Sequence, residues 1–265
     1  RSLLLLALES DPTVSRPIVT RIGAHEVHGL EFGTGERVLV LLHGLSGSSR
    51  WWARNIPALS RKYRLIVPDL IGFGRSRGKA MLPTIHEAAL LISAWIDTLD
   101  VERITLVGHS MGGQLAVHVA ARDPERIERL VLVDAAGMPR DFSLVTVTRF
   151  AAEVAPIWRW GDPRFLPIIA RDALTAGPRV LLRAIWHILR DDVRPLLPGI
   201  SAPTLIIWGE RDTLVPLKEA WAFREGIPDA KLVVLRGAGH NPMVDRPADF
   251  NRLLERFLDG ELVGR

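Results

Sequence analysis

Cysteine is absent from this chain of 265 residues. Its absence excludes disulfide bonds, a thiolate nucleophile and cysteine-ligated metal sites. Runs of lysine or arginine are also missing, because 34 basic residues are interleaved with 30 acidic ones and the net charge is only +4. We therefore predict no nucleic-acid partner. No group of histidines and acidic residues has the spacing of a metal site, so neither a metal nor a cofactor is predicted.

Long apolar runs are lacking as well, since no stretch approaches the roughly 20 residues that a membrane-spanning helix needs. The run Leu-Leu-Leu-Leu-Ala-Leu at residues 3–8 is too short to span a bilayer, and no small-residue cleavage site follows it. We expect a short helix packed on the body of the protein, and no stable membrane insertion. A cytoplasmic location is predicted, although this apolar segment leaves export open.

The composition is that of a globular protein, with 48% hydrophobic and 24% charged residues. Short β-rich segments alternate with longer helical ones, which predicts a mostly parallel sheet covered by helices on both faces. The opening pair of strands, 17–22 and 25–33, is predicted to be antiparallel. Later strands are predicted at 38–42, 65–67, 104–107, 130–133, 204–208 and 231–235. Helices are predicted at 84–99, 111–122 and 247–258, the first with a capping box formed by Thr84 and Glu87.

Residues 137–198 interrupt this alternation. They contain seven prolines, three tryptophans and short amphipathic helical patterns, without a convincing strand. We predict a core made of residues 1–136 and 199–265, with a helical cap at 137–198 inserted in it. The nine arginines of the cap outnumber its six acidic residues, and we expect most of them to face solvent.

The motif Gly108-His109-Ser110-Met111-Gly112 lies between a predicted strand and a predicted helix. This G-x-S-x-G pattern places a serine on a tight strand-to-helix turn, whose positions two residues on either side crowd each other and so require glycine. The turn lifts the hydroxyl clear of the sheet, and the helix N-terminus favours negative charge that develops there. Ser110 is therefore predicted to be a nucleophile.

A serine hydroxyl needs a base to take its proton, and that base needs a carboxylate to hold it in the right tautomer. His240 lies in a glycine-containing loop after the last predicted strand, and Asp212 follows the preceding strand. We predict His240 as the base and Asp212 as the acid. Asp134, at the end of the strand at 130–133, is the alternative acid.

Five motifs follow one another along the chain: VLLHG at 40–44, PDLIGFGRS at 68–76, GHSMGG at 108–113, GERD at 209–212 and GH at 239–240. Together they resemble the α/β-hydrolase superfamily. The resemblance implies an eight-stranded sheet and an oxyanion hole made by the backbone N–H groups of Leu45 and Met111. Two such donors are typically worth about 3 kcal/mol each in the barrier. Epoxide hydrolases and dehalogenases of the superfamily use an aspartate nucleophile, so Ser110 argues against those activities.

The expected substrate pocket combines residues that flank these motifs with tryptophans that could form an apolar slot. A tryptophan in a small cap can equally be part of the cap's own core. The glycine-rich segment 44–48 lacks the lysine of a phosphate-binding loop, so it is interpreted as an oxyanion loop. The pocket candidates are His43, Gly44, His109, Trp51, Trp52, Trp158, Trp160 and Trp186.

Three functions remain open at this point. The first is hydrolysis of carboxylic esters with short or medium acyl or aryl groups, through an acyl-enzyme on Ser110. The second is the same triad acting on a carbon–carbon bond of a dienoic diketone or on a lactone, although carbon–carbon hydrolases of the superfamily usually have asparagine where His109 stands. The third is a non-enzymatic ligand-binding protein. The expected partner is a small-molecule ester, and the sequence gives no indication of the oligomeric state.

Overall fold

The computed structural model describes residues 14–78, 80–140 and 162–261. Eight strands form a sheet in the order β1-β2-β4-β3-β5-β6-β7-β8, which confirms the predicted eight-stranded architecture. The strands are β1 (Arg16–Ile22), β2 (His25–Phe32), β3 (Val38–Leu42), β4 (Arg64–Pro68), β5 (Ile104–His109), β6 (Ile127–Val133), β7 (Thr204–Gly209) and β8 (Ala230–Leu235).

The sheet is mostly parallel. Strand β2 pairs antiparallel with both β1 and β4, and the remaining pairings, from β4 to β8, are parallel. The predicted antiparallel opening is therefore confirmed. Every residue of β3 is buried. Val40 and Leu42 pack into the hydrophobic cluster on one face, while Leu39 and Leu41 pack into the cluster on the other, as expected for a strand covered on both sides.

Helices cover the two faces of the sheet. The predicted helix after residue 84 is present, and Thr84 and Glu87 form the expected capping box. The helix that follows Pro216 was not predicted, because no N-terminal side-chain cap marks it in the sequence. The helices are α1 (Ile56–Leu59), α2 (Ile85–Asp97), α3 (Met111–Arg122), α4 (Leu166–Ala176), α5 (Pro178–Arg190), α6 (Leu217–Gly226), α7 (Pro242–Asp245) and α8 (Pro247–Leu258).

Helices α4 and α5 lie between β6 and β7 in the chain, inside the segment predicted as a cap. The division of the chain into a core and an inserted cap stays a prediction. Residues 3–8, Trp158 and Trp160 lie outside the described residues. None of the helices in the described ranges combines the length and the apolar character that crossing a bilayer would require.

The order of the strands brings several loops to one edge of the sheet. Strand β3 pairs with β4 on one side and β5 on the other, so the chain reverses direction across the sheet at β3. Ligands of open α/β sheets bind at the carboxyl ends of the strands beside such a reversal. The loops after β3, β5, β6, β7 and β8 all leave from these carboxyl ends, and they carry the predicted site residues.

Candidate active site

Ser110 occupies a sharp turn between β5 and α3. Its backbone has φ +52° and ψ −117°, a conformation that residues with a side chain seldom adopt. The turn is secured by the Ser110 N–H, which donates to the carbonyl of Val133 (2.9 Å), and by the Ser110 carbonyl, which accepts from Gly113 and Ala136 (2.9 and 3.1 Å). Ser110 is one of three described residues other than glycine with a positive φ, and such backbone strain is common at functional sites.

The glycines around Ser110 are required by close approach of the backbone. A Cβ atom at Gly108 would collide with the carbonyl oxygen of Gly112. A Cβ atom at Gly112 would lie 2.6 Å from the carbonyl oxygen of His43 and 2.7 Å from that of Leu42. Side chains at these two positions therefore clash with main-chain atoms, which have little room to move.

We expect Gly112→Ala to lower the free energy of unfolding by roughly 1–3 kcal/mol or more, because overpacking against backbone forces the turn to shift. Gly199→Ala is the matched control, since a Cβ atom there meets nothing within 4 Å, and its effect should stay within about 0.5 kcal/mol. Urea-induced unfolding measures both. Equal stability of the two variants would show that the turn at Ser110 tolerates a side chain.

His240 and Asp212 meet Ser110 from two further loops. His240 Nε2 lies 3.0 Å from Ser110 Oγ, and His240 Nδ1 lies 2.8 Å from Asp212 Oδ2. The second oxygen, Asp212 Oδ1, accepts the N–H groups of Leu214 (2.8 Å) and Val215 (3.0 Å). The carboxylate is held rigidly, and its contact with Nδ1 leaves Nε2 as the acceptor that faces the serine hydroxyl.

The electrostatics favour an ionised Asp212. Burial acts to raise the pKa of Asp212, but the charge of His240 and the hydrogen bonds from His240 and Val215 outweigh it, so the pKa lies below its usual value. A negative Asp212 stabilises the imidazolium that forms when His240 takes a proton. The geometry can therefore move a proton from Ser110 to His240.

Asp134 lies directly behind Asp212. Its side chain is fully buried, its backbone has a positive φ of +41°, and its Oδ1 accepts the N–H of Gly209 at 2.8 Å. Within the described residues, Asp134 Oδ2 has no hydrogen-bond partner. Burial and the neighbouring Asp212 carboxylate raise the pKa of Asp134 well above its usual value. Two carboxyl groups this close cannot both ionise, so we expect Asp134 to hold a proton.

The same three side chains form a compact set of potential ligand atoms. One atom each from Asp134, Asp212 and His240 lies within 4.8 Å of the others. Both nitrogen atoms of His240 already have partners, because Nδ1 contacts Asp212 and Nε2 contacts Ser110. A metal ion here would have to displace the contact between His240 and Asp212, so the geometry fits a proton relay better than a metal centre.

His109 connects the nucleophile turn to the loop that carries His240. Its Nε2 lies 2.7 Å from the carbonyl oxygen of His240. Because a carbonyl only accepts, Nε2 carries the proton, and the imidazole is held in one tautomer. Burial and the nearby His240 lower the pKa of His109 to about 3. His109 is therefore a neutral side chain that fixes the main chain of His240.

His43 holds the turn that precedes Leu45. Its Nε2 accepts the N–H of Leu70 (2.8 Å), so its Nδ1 carries the proton and donates to the carbonyl of Gly44 (2.7 Å). A Cβ atom on Gly44 would lie 3.1 Å from Cβ of Ser110, which shows how closely this turn approaches the nucleophile.

The N–H groups of Leu45 and Met111 are predicted to form an oxyanion hole. Leu45 is close to Ser110 in space, and Met111 follows it in the sequence. Leu45 lines the same cavity as Ser110. Met111 is the first residue of helix α3, where main-chain N–H groups have no partner within the helix. Neither the Leu45 nor the Met111 N–H donates to another main-chain group of the described residues. Both are therefore available to an anion, and their role stays a prediction.

A cavity of about 260 Å³ opens beside Ser110 and His240. Its walls are mainly aliphatic, and helices α4 and α5 supply one side of it. Asp172 on α4 accepts hydrogen bonds from Ser48 Oγ (2.7 Å) and Trp51 Nε1 (3.2 Å), which ties this side to the loop after β3. The lining residues from α4 and α5 are Ile169, Ala173, Leu181, Ile185, Ile188 and Leu189.

The predicted pocket tryptophans that the structure describes lie in different places. Trp51 lines the cavity and packs against His109, with ring centroids 5.6 Å apart. Trp52 is fully buried in the core beside Phe250 instead. Trp186 is 39% exposed and does not line the described part of the cavity. His43, Gly44 and His109 lie behind the described wall and support it.

Sequence reasoning missed two charged residues of the cavity. Arg140 lines the cavity, although the arginines of its segment were expected to face solvent, and Glu219 on α6 lines it as well. Arg140 Nη2 lies 2.7 Å from Glu219 Oε1. No local pattern marks either residue, because they are 79 positions apart and meet only in the folded chain.

The sequence model of the alpha/beta hydrolase family matches residues 39–253. RutD of Pseudomonas syringae pv. syringae, named as a candidate carbamate hydrolase, is 31% identical over 259 residues, covering 88% of this chain and 98% of the relative. The 2-hydroxy-6-oxononadienedioate/2-hydroxy-6-oxononatrienedioate hydrolase of Paraburkholderia phymatum is 31% identical over 263 residues, covering 88% and 90%. The structure of a thermophilic esterase is similar with a TM-score of 0.79 at 26% identity, covering 92% of this chain and 98% of that one.

Proposed function

Because this chain belongs to the alpha/beta hydrolase family, we propose that it is a serine hydrolase of carboxylic esters with short or medium acyl or aryl groups. The observation that carries this proposal is the line of contacts from Ser110 Oγ through His240 to Asp212, with distances of 3.0 and 2.8 Å. A nucleophile, a base and an orienting acid at hydrogen-bond distance are what acyl transfer needs.

In the first half of the reaction, Ser110 Oγ attacks the ester carbonyl while its proton passes to His240 Nε2. The carbonyl oxygen becomes negative and is stabilised by the N–H groups of Leu45 and Met111. The carbon–oxygen bond to the alcohol then breaks, and His240 returns the proton to the departing alkoxide. The acyl group stays covalently bound to Ser110.

In the second half, a water molecule takes the place of the alcohol. His240 accepts one of its protons while the oxygen attacks the acyl carbon. The bond to Ser110 Oγ breaks, and His240 protonates that oxygen again. The products are one carboxylic acid and one alcohol, and the enzyme returns to its starting state without a metal or cofactor taking part in these steps.

The aliphatic cavity supports an apolar acyl or aryl group of limited size. Its volume of about 260 Å³ is small among pockets that bind organic molecules, which favours an acyl group of limited size. Helices α4 and α5 form one wall, which fits the proposed role of residues 137–198 as a cap over the site. The contacts of Asp172 with Ser48 and Trp51 would keep that cap closed on the oxyanion loop.

A series of nitrophenyl esters tests this proposal. We expect kcat/KM to be highest between the butyryl and octanoyl esters and to fall at least about 10-fold for the palmitoyl ester, whose chain exceeds the cavity. A fluorophosphonate should label Ser110, as located by peptide mass spectrometry. No turnover of any ester, or labelling at another residue only, would remove the proposal.

A second candidate is cleavage of a carbon–carbon bond, which the Paraburkholderia phymatum relative supports by its name. His109 disfavours it, because carbon–carbon hydrolases of the superfamily usually have asparagine at this position. The name of the Pseudomonas syringae relative likewise suggests a carbamate as the substrate. Turnover of a dienoic diketone, a lactone or a carbamate faster than any ester, measured on one preparation, would decide for that bond. Tight binding without turnover would decide for a ligand-binding protein.

A further inference from the structure

Among the described residues that line the cavity beside Ser110, most are aliphatic, but Arg140 and Glu219 form an ion pair there. Arg140 Nη2 donates to Glu219 Oε1 (2.7 Å), and Arg140 Nη1 donates to the carbonyl of Leu214 (3.1 Å). Both charged residues line the cavity that contains Ser110 and His240. The Glu219 side chain is only 8% exposed. A charged pair therefore sits where a bound substrate would touch it.

Only some of the hydrogen-bond donors of Arg140 are paired with the described residues. A guanidinium group carries five N–H donors, and the contacts to Glu219 and Leu214 use two of them. The other three N–H groups have no acceptor among the described residues. The Arg140 side chain is 26% exposed, so these N–H groups remain accessible and an acceptor supplied by a bound ligand can pair with them.

The charge of the pair restricts which acceptor fits. Burial raises the pKa of Glu219 although Arg140 acts in the opposite direction, and the glutamate stays in contact with Arg140. Because Glu219 offsets the positive charge of Arg140, the pair offers hydrogen-bond donors without net charge. A ketone, ether or hydroxyl oxygen is then a better partner than a carboxylate, which would be repelled by Glu219.

We propose that Arg140 and Glu219 form a recognition subsite for a neutral hydrogen-bond acceptor in the substrate, so that the preferred ester carries a second oxygen function away from the scissile bond. This inference rests on the proposed esterase function, since it concerns the same cavity. A few polar groups on an apolar pocket commonly fix orientation and specificity. Substrates that lack the acceptor leave the Arg140 donors unpaired and are discriminated against.

The test compares nitrophenyl hexanoate with the ester of the same length that carries a ketone near the far end of the chain. The parent protein should prefer the keto ester about 10- to 100-fold in kcat/KM. Arg140→Met should abolish that preference, so that the ratio of kcat/KM for the keto ester to that for the hexanoate falls to about 1. Glu219→Gln leaves the charge of Arg140 uncompensated, so an ester ending in a carboxylate should gain about 10-fold in that variant.

A purely structural role for the pair would give another result. Both esters would then lose activity equally in Arg140→Met, in parallel with a lower melting temperature, and the inference would be overturned. If Arg140→Met does not fold, Arg140→Lys and Glu219→Gln provide the comparison, and an unchanged ratio of the two esters in both variants overturns it as well. Turnover of both esters by the parent without preference removes this inference alone, whereas no turnover and no label on Ser110 removes the proposed function.

Discussion

Ser110→Ala should reduce kcat for every ester by about 10⁵-fold or more, because no other group can form the acyl-enzyme. Ser110 Oγ is the atom that lies 3.0 Å from His240 Nε2, and alanine leaves nothing for the imidazole to deprotonate except water. The residual rate should come from binding and from the N–H groups of Leu45 and Met111. The measurement is the burst and steady-state release of nitrophenol.

Two controls belong with this variant. Ser93→Ala on α2 removes another buried serine hydroxyl, and it should leave kcat unchanged within about 2-fold. Ser110→Ala should also still bind a substrate analogue, since the cavity is intact. Turnover in Ser110→Ala that stays above a tenth of the parent rate would show that the serine is not the nucleophile.

Asp212→Asn should lower kcat by about 10³- to 10⁴-fold, which is the second largest expected effect. The asparagine amide would donate toward His240 Nδ1, so the imidazole would carry its proton on Nε2. In that tautomer Nε2 cannot accept the proton of Ser110. Because the change is isosteric, the loss should appear in kcat with little change in KM.

Asp134→Asn is the matched comparison, because it makes the same chemical change at the carboxyl group behind Asp212. If Asp134 holds a proton, asparagine replaces a neutral carboxyl group by a neutral amide of similar shape. We then expect kcat to stay within about 10-fold of the parent. A large loss in Asp134→Asn together with an active Asp212→Asn would reverse the assignment of the acid.

The pH dependence of stability tests the proton on Asp134. Its pKa is raised in the folded state, so its stabilising contribution is complete below the unfolded pKa, near 4, and is lost as the pH rises above that value. Asparagine does not titrate. The free energy of unfolding of Asp134→Asn relative to the parent should therefore increase from pH 4 to pH 8. A decrease over that range would mean that Asp134 is ionised in the folded protein.

The strands and the turn at Ser110 could be predicted because the sequence patterns that mark them span only a few neighbouring residues. The unbroken apolar run of β3 and the glycines around Ser110 each describe an environment within a few residues. Strand β6 begins at Ile127, three residues before its predicted start, because Glu128 and Arg129 interrupt the apolar pattern. Helix α6 was missed because its start lacks a capping side chain.

The sequence predicted Asp212 as the acid but left Asp134 as an alternative. Asp134 and Asp212 both follow a parallel strand at the same edge of the sheet, so spacing treats them alike. The tertiary structure distinguishes them. The imidazole of His240 lies 2.8 Å from Asp212, whereas Asp134 accepts the N–H of Gly209 and lies behind the Asp212 carboxylate.

Sequence by itself determined the class of fold and predicted the nucleophile and the base, since periodicity and glycine spacing act over short stretches of chain. Only the tertiary structure decided which acid meets His240, how large the cavity is and that Arg140 meets Glu219 on its wall. These features depend on distances between residues far apart in the chain. Such distances are set by the packing of the whole sheet and its helices, which no local pattern records.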